Sequence, residues 1–279
     1  MGSNVRTAII PAGGLGTRLM PLTRAVPKEL LPVWKKPVLQ YAVEEAAEAG
    51  IERIVIVTSP GKDSLERHFG SAWQAEITAL HGRDGPHIEF VIQEKALGLG
   101  HAIRLAAPRA EAVAVLLPDE FLLGENCLQQ LIAYYKERPG SVLAVQKVPL
   151  ADVRRYGIVD VATADGYGLD VKALVEKPQP ENAPSQLAII GRYVLDPSVI
   201  DKLQDAAPSL GGEIQLTDSI AGTCGHASVT AVHYDGQRFD CGTFQGLLQA
   251  NVAVAQMEEP TVLIQPAAPA RQPLQVDAA

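Results

Sequence analysis

The sequence predicts an α/β fold, a mostly parallel sheet layered between helices, and three observations carry that prediction. Short apolar or β-branched runs recur along the first half, segments of helical period separate them, and a glycine-rich turn follows the first run. Runs of this kind, apolar without strict alternation, suit strands covered on both faces.

Taken in order, residues 7–11 (Thr-Ala-Ile-Ile-Pro) are the first expected strand. Residues 54–58 (Ile-Val-Ile-Val-Thr), 89–93 (Glu-Phe-Val-Ile-Gln) and 113–117 (Val-Ala-Val-Leu-Leu) continue the series, with helices expected over 37–49, 61–69 and 98–107. The second half is more mixed. Strands are expected at 142–148, 157–162, 171–176 and 189–195, separated by turn-rich segments, with helices at 196–205 and 213–224 and another beginning after Gly242. From residue 258 to 279 the chain turns to Pro, Ala and Gln, which reads as a loose C-terminal tail. The expectation is one Rossmann-like domain over 1–257. In such sheets ligands bind at the carboxyl ends of the strands, where Pro11, Gln93 and Asp119 emerge.

Composition narrows the function. A chain of 279 residues with 47% hydrophobic content can fill one large core. Its net charge of −8 argues against a nucleic-acid surface, so local cations at Arg18, Lys28 and Lys177 point to one small anionic ligand. No run of about eighteen apolar residues and no charged-then-apolar leader is evident, which reads as a cytoplasmic protein without a membrane partner. The three cysteines are too scattered for a disulfide framework, and Cys224-x-His226 is a weak metal pair with no partner pair near it. Neither H-E-x-x-H nor G-x-S-x-G occurs. His101 reads as a helix-start residue packed locally.

The most specific stretch is Pro11-Ala-Gly-Gly-Leu-Gly-Thr-Arg18. Gly13, Gly14 and Gly16 let backbone N–H groups approach an anion, and Arg18 and Lys28 flank the loop with two cations, a combination suited to polyphosphate. A dinucleotide fingerprint counted from Gly14 meets Leu19 at the third glycine's place, and no Gly-Lys stands where a Walker A loop needs it. A purely structural glycine turn is the remaining alternative for the loop alone.

Together with Pro27-Lys-Glu-Leu-Leu-Pro32, this loop resembles the signature of the sugar-1-phosphate nucleotidylyltransferases. Gly98-Leu-Gly-His-Ala102, Leu117-Pro-Asp119, Tyr156-Gly-Ile-Val-Asp160, Val175-Glu-Lys-Pro178, Ile190-Gly-Arg-Tyr-Val194, Gly212-Glu-Ile-Gln-Leu-Thr-Asp218 and Phe239-Asp-Cys-Gly242 follow in the family's order, so the resemblance covers roughly residues 5–257. It is nearest to the bacterial branch acting on UTP and glucose 1-phosphate. The resemblance implies a nucleotide-binding half over about 5–125, a mixed-sheet sugar-binding half over about 140–257, Mg2+ as cofactor and a homo-oligomer.

The resemblance also assigns residues. Ala12, Gly13 and Gly14 would contribute main-chain groups to the nucleotide, Gln93 would read the pyrimidine edge by donating and accepting, and Gly98 would let the base lie against backbone. Glu176 would take sugar hydroxyls, Lys177 the sugar phosphate, and Gly157 and Gly191 would bring backbone close to the sugar. Arg18 and Lys28 would hold the triphosphate and stabilise the transferring phosphoryl group. Asp119 already reads as a metal ligand from its place at the end of an apolar run, with a helix cap as the alternative, and Glu120 beside it adds charge. Asp240 joins it as second metal ligand by resemblance.

Two departures from the family pattern accompany this reading. Few residues separate Ala75-Glu76 from the 88–93 strand, where the family carries a longer helical insertion that bears on oligomer contacts. Phe244 stands where a lysine is common. A transferase preferring dTTP or another hexose 1-phosphate, and a non-catalytic sugar-nucleotide sensor, are the open alternatives.

Overall fold

The computed structural model describes residues 5–71, 73, 75, 77, 78, 85–164, 168–209 and 211–259. Strand β1 (Thr7–Pro11) leads through the glycine loop to a small hairpin, β2 (Pro32–Val33) with β3 (Lys36–Pro37), and then to helix α1 (Val38–Glu48). Strand β4 (Arg53–Thr58), helix α2 (Asp63–His68), strand β5 (His87–Ile92), helix α3 (Leu99–Ala106) and strand β6 (Val113–Leu116) complete the first half. β1 pairs in parallel with both β4 and β6, and β5 pairs in parallel with β4. The four strands expected here are all present, with ends shifted by one or two residues.

Why the apolar runs do not alternate is visible in the packing. Ala8, Ile10, Ile54, Ile56, Ala114 and Leu116 face one layer, while Ile9, Val55, Val57, Val113 and Val115 face the other. Each strand therefore needs apolar side chains on both faces. The first layer receives Leu39, Ala42 and Val43 of α1 and Leu128, Leu131 and Ile132 of helix α4 (Cys127–Glu137). The second receives Ala102 and Ile103 of α3 and, from farther along the chain, helices α5 (Pro197–Asp205) and α6 (Leu216–Ala221).

The second half continues the same sheet. β7 (Glu120–Leu123) leaves it, and then come β8 (Ser141–Lys147), β9 (Gly157–Ala164), β10 (Leu169–Glu176), β11 (Leu187–Leu195), β12 (Val229–His233), β13 (Gln237–Asp240) and helix α7 (Phe244–Glu258). Among the described residues the strand order is β5-β4-β1-β6-β11-β8-β12-β10-β9. β11 runs antiparallel to both β6 and β8, β12 is parallel to β8, and β10 and β9 are antiparallel. β9 returns to touch β11 through Ala188 and Ile158. The parallel first half and the mixed second half match the expected fold class.

Several expectations are corrected. The helix expected over 213–224 is shorter, because the backbone at Ile214 is taken by another partner: its N–H donates to Leu97 O at 2.8 Å and its carbonyl accepts from Gly100 N at 2.8 Å. That exchange holds 213–215 extended and lets α6 start only at Leu216. Strands β7, β12 and β13 and helix α4 were not expected. Of the expected tail, residue 258 ends α7 and 260–279 lie outside the described residues, as do residues 79–84 of the short segment that bears on oligomer contacts. No helix of the described residues is long and apolar enough to cross a membrane.

One buried ion pair ties the helix layer to the seam between the halves. Arg192 on β11 is 2% exposed, and its Nε and Nη2 donate to Glu45 Oε2 of α1 at 2.9 and 2.8 Å. Its Nη1 donates to Leu117 O at 3.1 Å, which fixes the chain just before Asp119. Removing one partner leaves an uncompensated buried charge. Arg192→Ala is expected to lower unfolding free energy by about 3–5 kcal/mol in urea titration; a loss below about 1 kcal/mol would mean that the pair is structurally idle.

Candidate active site

The glycine loop is shaped by close approach more than by unusual dihedrals. Only Gly16 takes the left-handed region, at φ +67°, whereas Gly13 and Gly14 do not. A Cβ on Gly13 would stand 3.0 Å from Gln93 Oε1, and one on Gly14 would stand 3.3 Å from Lys28 Cε. Larger residues at both places would displace the neighbours expected to meet the ligand.

Beneath the loop lies a cation that sequence reasoning missed. Lys62 Nζ donates to Ala12 O at 2.7 Å and Gly14 O at 2.8 Å, and pairs with Glu29 Oε2 at 2.9 Å. Glu29 is 1% exposed; desolvation pushes its carboxyl up and the Lys62 ammonium down, while their mutual attraction works against both shifts. The available signal was a lysine after Gly61, just past a buried strand. Both main-chain groups of Ala12 have partners within the protein. Its N–H donates to Val57 O at 2.7 Å and its carbonyl accepts from Lys62 at 2.7 Å.

Asp119 and Asp240, 121 positions apart in the chain, meet because β7 and β13 pair with Asp240 opposite Glu120 and Cys241 N donates to Asp119 O at 2.8 Å. Gly242 marks the convergence. A Cβ there would lie 2.8 Å from Arg18 Nη2, 3.0 Å from Asp240 Oδ1 and 3.2 Å from Asp119 Oδ2. The carboxylates are matched by cations: Lys28 Nζ lies 2.5 Å from Asp119 Oδ2, and Arg155 Nη2 and Arg18 Nη1 lie 2.5 and 3.4 Å from Asp240 Oδ2. Glu120 pairs with Arg238 at 2.7 Å, whose other nitrogen donates to Tyr156 Oη at 2.9 Å.

Burial is the largest influence on Asp119 and would raise its pKa, but the charge and hydrogen bond of Lys28, a backbone hydrogen bond and the charge of Arg18 together outweigh it and hold the carboxyl below its usual range. Burial drives Glu120 the other way, aided by repulsion from Asp119 and Asp240 and opposed by Arg238. Among the described residues no group of three or more His, Cys, Asp or Glu is arranged to hold a metal. Two converging carboxylates fit a hard divalent cation that takes its other ligands from phosphate oxygens and water.

This centre opens onto a cleft of about 440 Å³ lined by Arg18, Asp119, Arg155, Tyr156, Lys177 and Asp240. It adjoins a second hollow of about 230 Å³ that contains Gly157, Glu176, Lys177, Gly191 and Thr217. Lys177 takes φ +46°, its N–H donates to Tyr156 O at 3.0 Å, and Nζ lies 3.0 Å from Glu176 Oε1. Thr217 Oγ1 donates to the other Glu176 oxygen at 2.7 Å. A Cβ on Gly157 would come within 3.0 Å of Thr217 Oγ1, and one on Gly191 within 2.9 Å of Glu120 Cγ, so both backbones form hollow walls that admit no side chain. Gln93 follows β5 beside Gly98, with Nε2 3.3 Å from Gly98 O. Arg155, Arg238, Tyr156 and Thr217 were also missed; the Arg154-Arg155 pair just ahead of Tyr156-Gly157 was the clearest unused sign. Phe244 opens α7 and is half exposed.

Comparison with known proteins bears on this arrangement. The profile of the nucleotidyl transferase family matches residues 7–257. A UTP–glucose-1-phosphate uridylyltransferase of Staphylococcus epidermidis is 40% identical over 90% of this chain and 92% of its own length. One of the same name from Pseudomonas aeruginosa is 39% identical over 88% of this chain and 94% of its own. Among solved structures, UDP-glucose pyrophosphorylase complexed with UDP-glucose superposes with a TM-score of 0.83 at 35% identity, covering 91% of this chain and 99% of that one.

The Lys62 contacts make a direct demand on stability. Lys62→Met keeps the stem but leaves Glu29 buried and unpaired and two loop carbonyls without their donor. A loss of about 3–5 kcal/mol is expected in chemical denaturation, and Glu29→Gln combined with Lys62→Met is expected to recover part of it. Full stability in the single variant would remove the ion pair from the account of the loop.

Proposed function

The chain belongs to the nucleotidyl transferase family, and on that premise we propose that it transfers the uridylyl group of UTP to glucose 1-phosphate, giving UDP-glucose and pyrophosphate. The observation that carries this reading is the convergence of Arg18, Asp119 and Asp240 on Gly242, in a cleft that continues into the Glu176–Lys177 hollow. Such a layout suits one ligand with a polyphosphate and a second with a phosphate and vicinal hydroxyls. The names of the relatives supply the same two substrates.

The nucleophile is a phosphate oxygen of glucose 1-phosphate. It bonds to the α-phosphorus of UTP as the bond to the α,β-bridging oxygen breaks, and pyrophosphate leaves with that oxygen and its electron pair. An attacking group that is already anionic needs no general base, so the free-energy cost lies in bringing two polyanions together in line. Arg18 and Lys28 hold the triphosphate, Lys177 holds the acceptor phosphate, and Glu176, kept in place by Thr217, accepts from sugar hydroxyls. Arg155 borders the same cleft and adds a further cation there. Gln93 and Gly98 border the base. Asp119 and Asp240 hold Mg2+, which supplies charge neutralisation to phosphate oxygens when bound.

Pyrophosphate release on mixing the protein with UTP, glucose 1-phosphate and Mg2+ tests the reaction, and a matrix of nucleoside triphosphates against sugar phosphates tests its preference. No release with any pair would reject the proposal. Asp119→Asn and Asp240→Asn are each expected to cut turnover strongly while the fold survives; near-normal turnover of both at limiting Mg2+ would remove them as metal ligands. Lys177→Ala is expected to raise the KM for glucose 1-phosphate and lower kcat/KM about ten- to a hundredfold, the worth of one charge-assisted contact. UTP titrated alone should bind as before, and an unchanged response to glucose 1-phosphate takes Lys177 out of the site.

A further inference from the structure

Gln93 is 7% exposed at the end of β5, and its amide has one arrangement that its neighbours allow. Nε2 lies 3.3 Å from Gly98 O and 2.8 Å from His101 Nδ1. A carbonyl oxygen can only accept, so the amide nitrogen must stand on the Gly98 side, and the opposite assignment would set two acceptors against each other. With one hydrogen directed at Gly98 O, the other meets His101 Nδ1, which must therefore carry no proton. Burial, and then the charge of Arg104, hold the His101 pKa below its ordinary value, consistent with a neutral ring bearing its proton on Nε2.

Both amide hydrogens are thus engaged within the protein. Oε1 faces the glycine loop, 3.0 Å from where a Cβ on Gly13 would stand, and among the described residues no donor reaches it. The expectation that Gln93 would both donate to and accept from a base is narrowed to acceptance alone. An acceptor held there takes the N3–H of uracil, whereas cytosine presents a lone pair at the same ring position.

We propose that His101 is a positioning residue for base selection: together with the Gly98 carbonyl it locks the Gln93 amide with its oxygen toward the nucleobase, favouring a ring N–H over a ring acceptor. This rests on the reading above in which the base of UTP lies beside Gln93. Were the lock released, the amide could turn and donate to cytosine. His101 touches no substrate in this scheme and acts only through Gln93.

The test compares wild type with His101→Phe, which keeps a ring but no acceptor, His101→Ala, which adds no volume, and His101→Asn, whose Oδ1 can stand in for Nδ1. Initial rates and direct titrations are measured with UTP, CTP and dTTP. In His101→Phe and His101→Ala the preference for UTP over CTP should fall about tenfold, the worth of one buried hydrogen bond. The fall should appear in KM with kcat little changed, and the ratio of UTP to dTTP, which share the N3–H, should stay as in wild type. His101→Asn should restore the UTP preference. An unchanged UTP-to-CTP ratio in both acceptor-free variants, or equal damage in His101→Asn, overturns the proposal. Titration without sugar phosphate keeps the two readings apart: a wild type that binds UTP over CTP but releases no pyrophosphate rejects the reaction alone, while equal binding of UTP and CTP rejects the role of His101.

Discussion

Lys62 carries its ammonium under the glycine loop, donating to the carbonyls of Ala12 and Gly14 while paired with the buried Glu29. That contact fixes the orientation of two loop carbonyls. In a trans peptide the C=O of one residue and the N–H of the next lie in one plane and point in opposite directions. The Lys62 contacts with the Ala12 and Gly14 carbonyls therefore leave the N–H groups of Gly13 and Leu15 directed away from the ammonium. Glu29 sits between Lys28 and Leu30 in one tight turn, so the same ion pair also anchors the segment that delivers Lys28 to Asp119.

Around that anchor the charges are arranged in matched pairs. Asp119 has Lys28, Asp240 has Arg155 and Arg18, and Glu120 has Arg238. Three carboxylates crowd together with their side chains largely shielded from water, and each has a cation at its oxygen to offset the repulsion. The opposite directions of the Asp119 and Glu120 shifts express the balance: Lys28, a backbone hydrogen bond and Arg18 together overcome burial at Asp119, while burial and two neighbouring carboxylates prevail at Glu120. An acidic chain with a net charge of −8 has thus concentrated cations where its own carboxylates crowd.

β11 is the seam that lets one continuous sheet carry both hollows. It pairs antiparallel with β6 on one side and β8 on the other, and its Gly191 accepts from Leu117 N at 2.9 Å while Arg192 bonds the Leu117 carbonyl. Leu117 through Asp119 is therefore held by a strand whose own Gly191 walls the neighbouring hollow. Leu117 is thus held at its N–H by the backbone of Gly191 and at its carbonyl by the side chain of Arg192.

Local pattern was enough to recover β1, β4, β5 and β6 and helices α1 and α3, because strands covered on both faces write an unbroken apolar run and helices beside them write a 3.6-residue period. Local pattern also singled out Arg18, Lys28 and Asp119, while Glu176, Lys177 and Asp240 came from the family resemblance; the fold brings Arg18, Asp119, Glu176, Lys177 and Asp240 into one cleft and its neighbour, with Lys28 paired to Asp119. Strands β7 and β13 write no such pattern: Gln-Arg-Phe-Asp is mostly polar and four residues long. Yet their register alone sets Asp240 beside Asp119. Lys62 and Arg155 look like ordinary surface cations in sequence, and their partners lie 33 and 85 positions away. Sequence by itself determined which faces are buried and which residue types are chemically unusual, since both are properties of neighbours along the chain. Which charges pair, and that the Gln93 amide nitrogen is held by Gly98 and His101, was decided by the tertiary structure, because those depend on contacts that no local periodicity records.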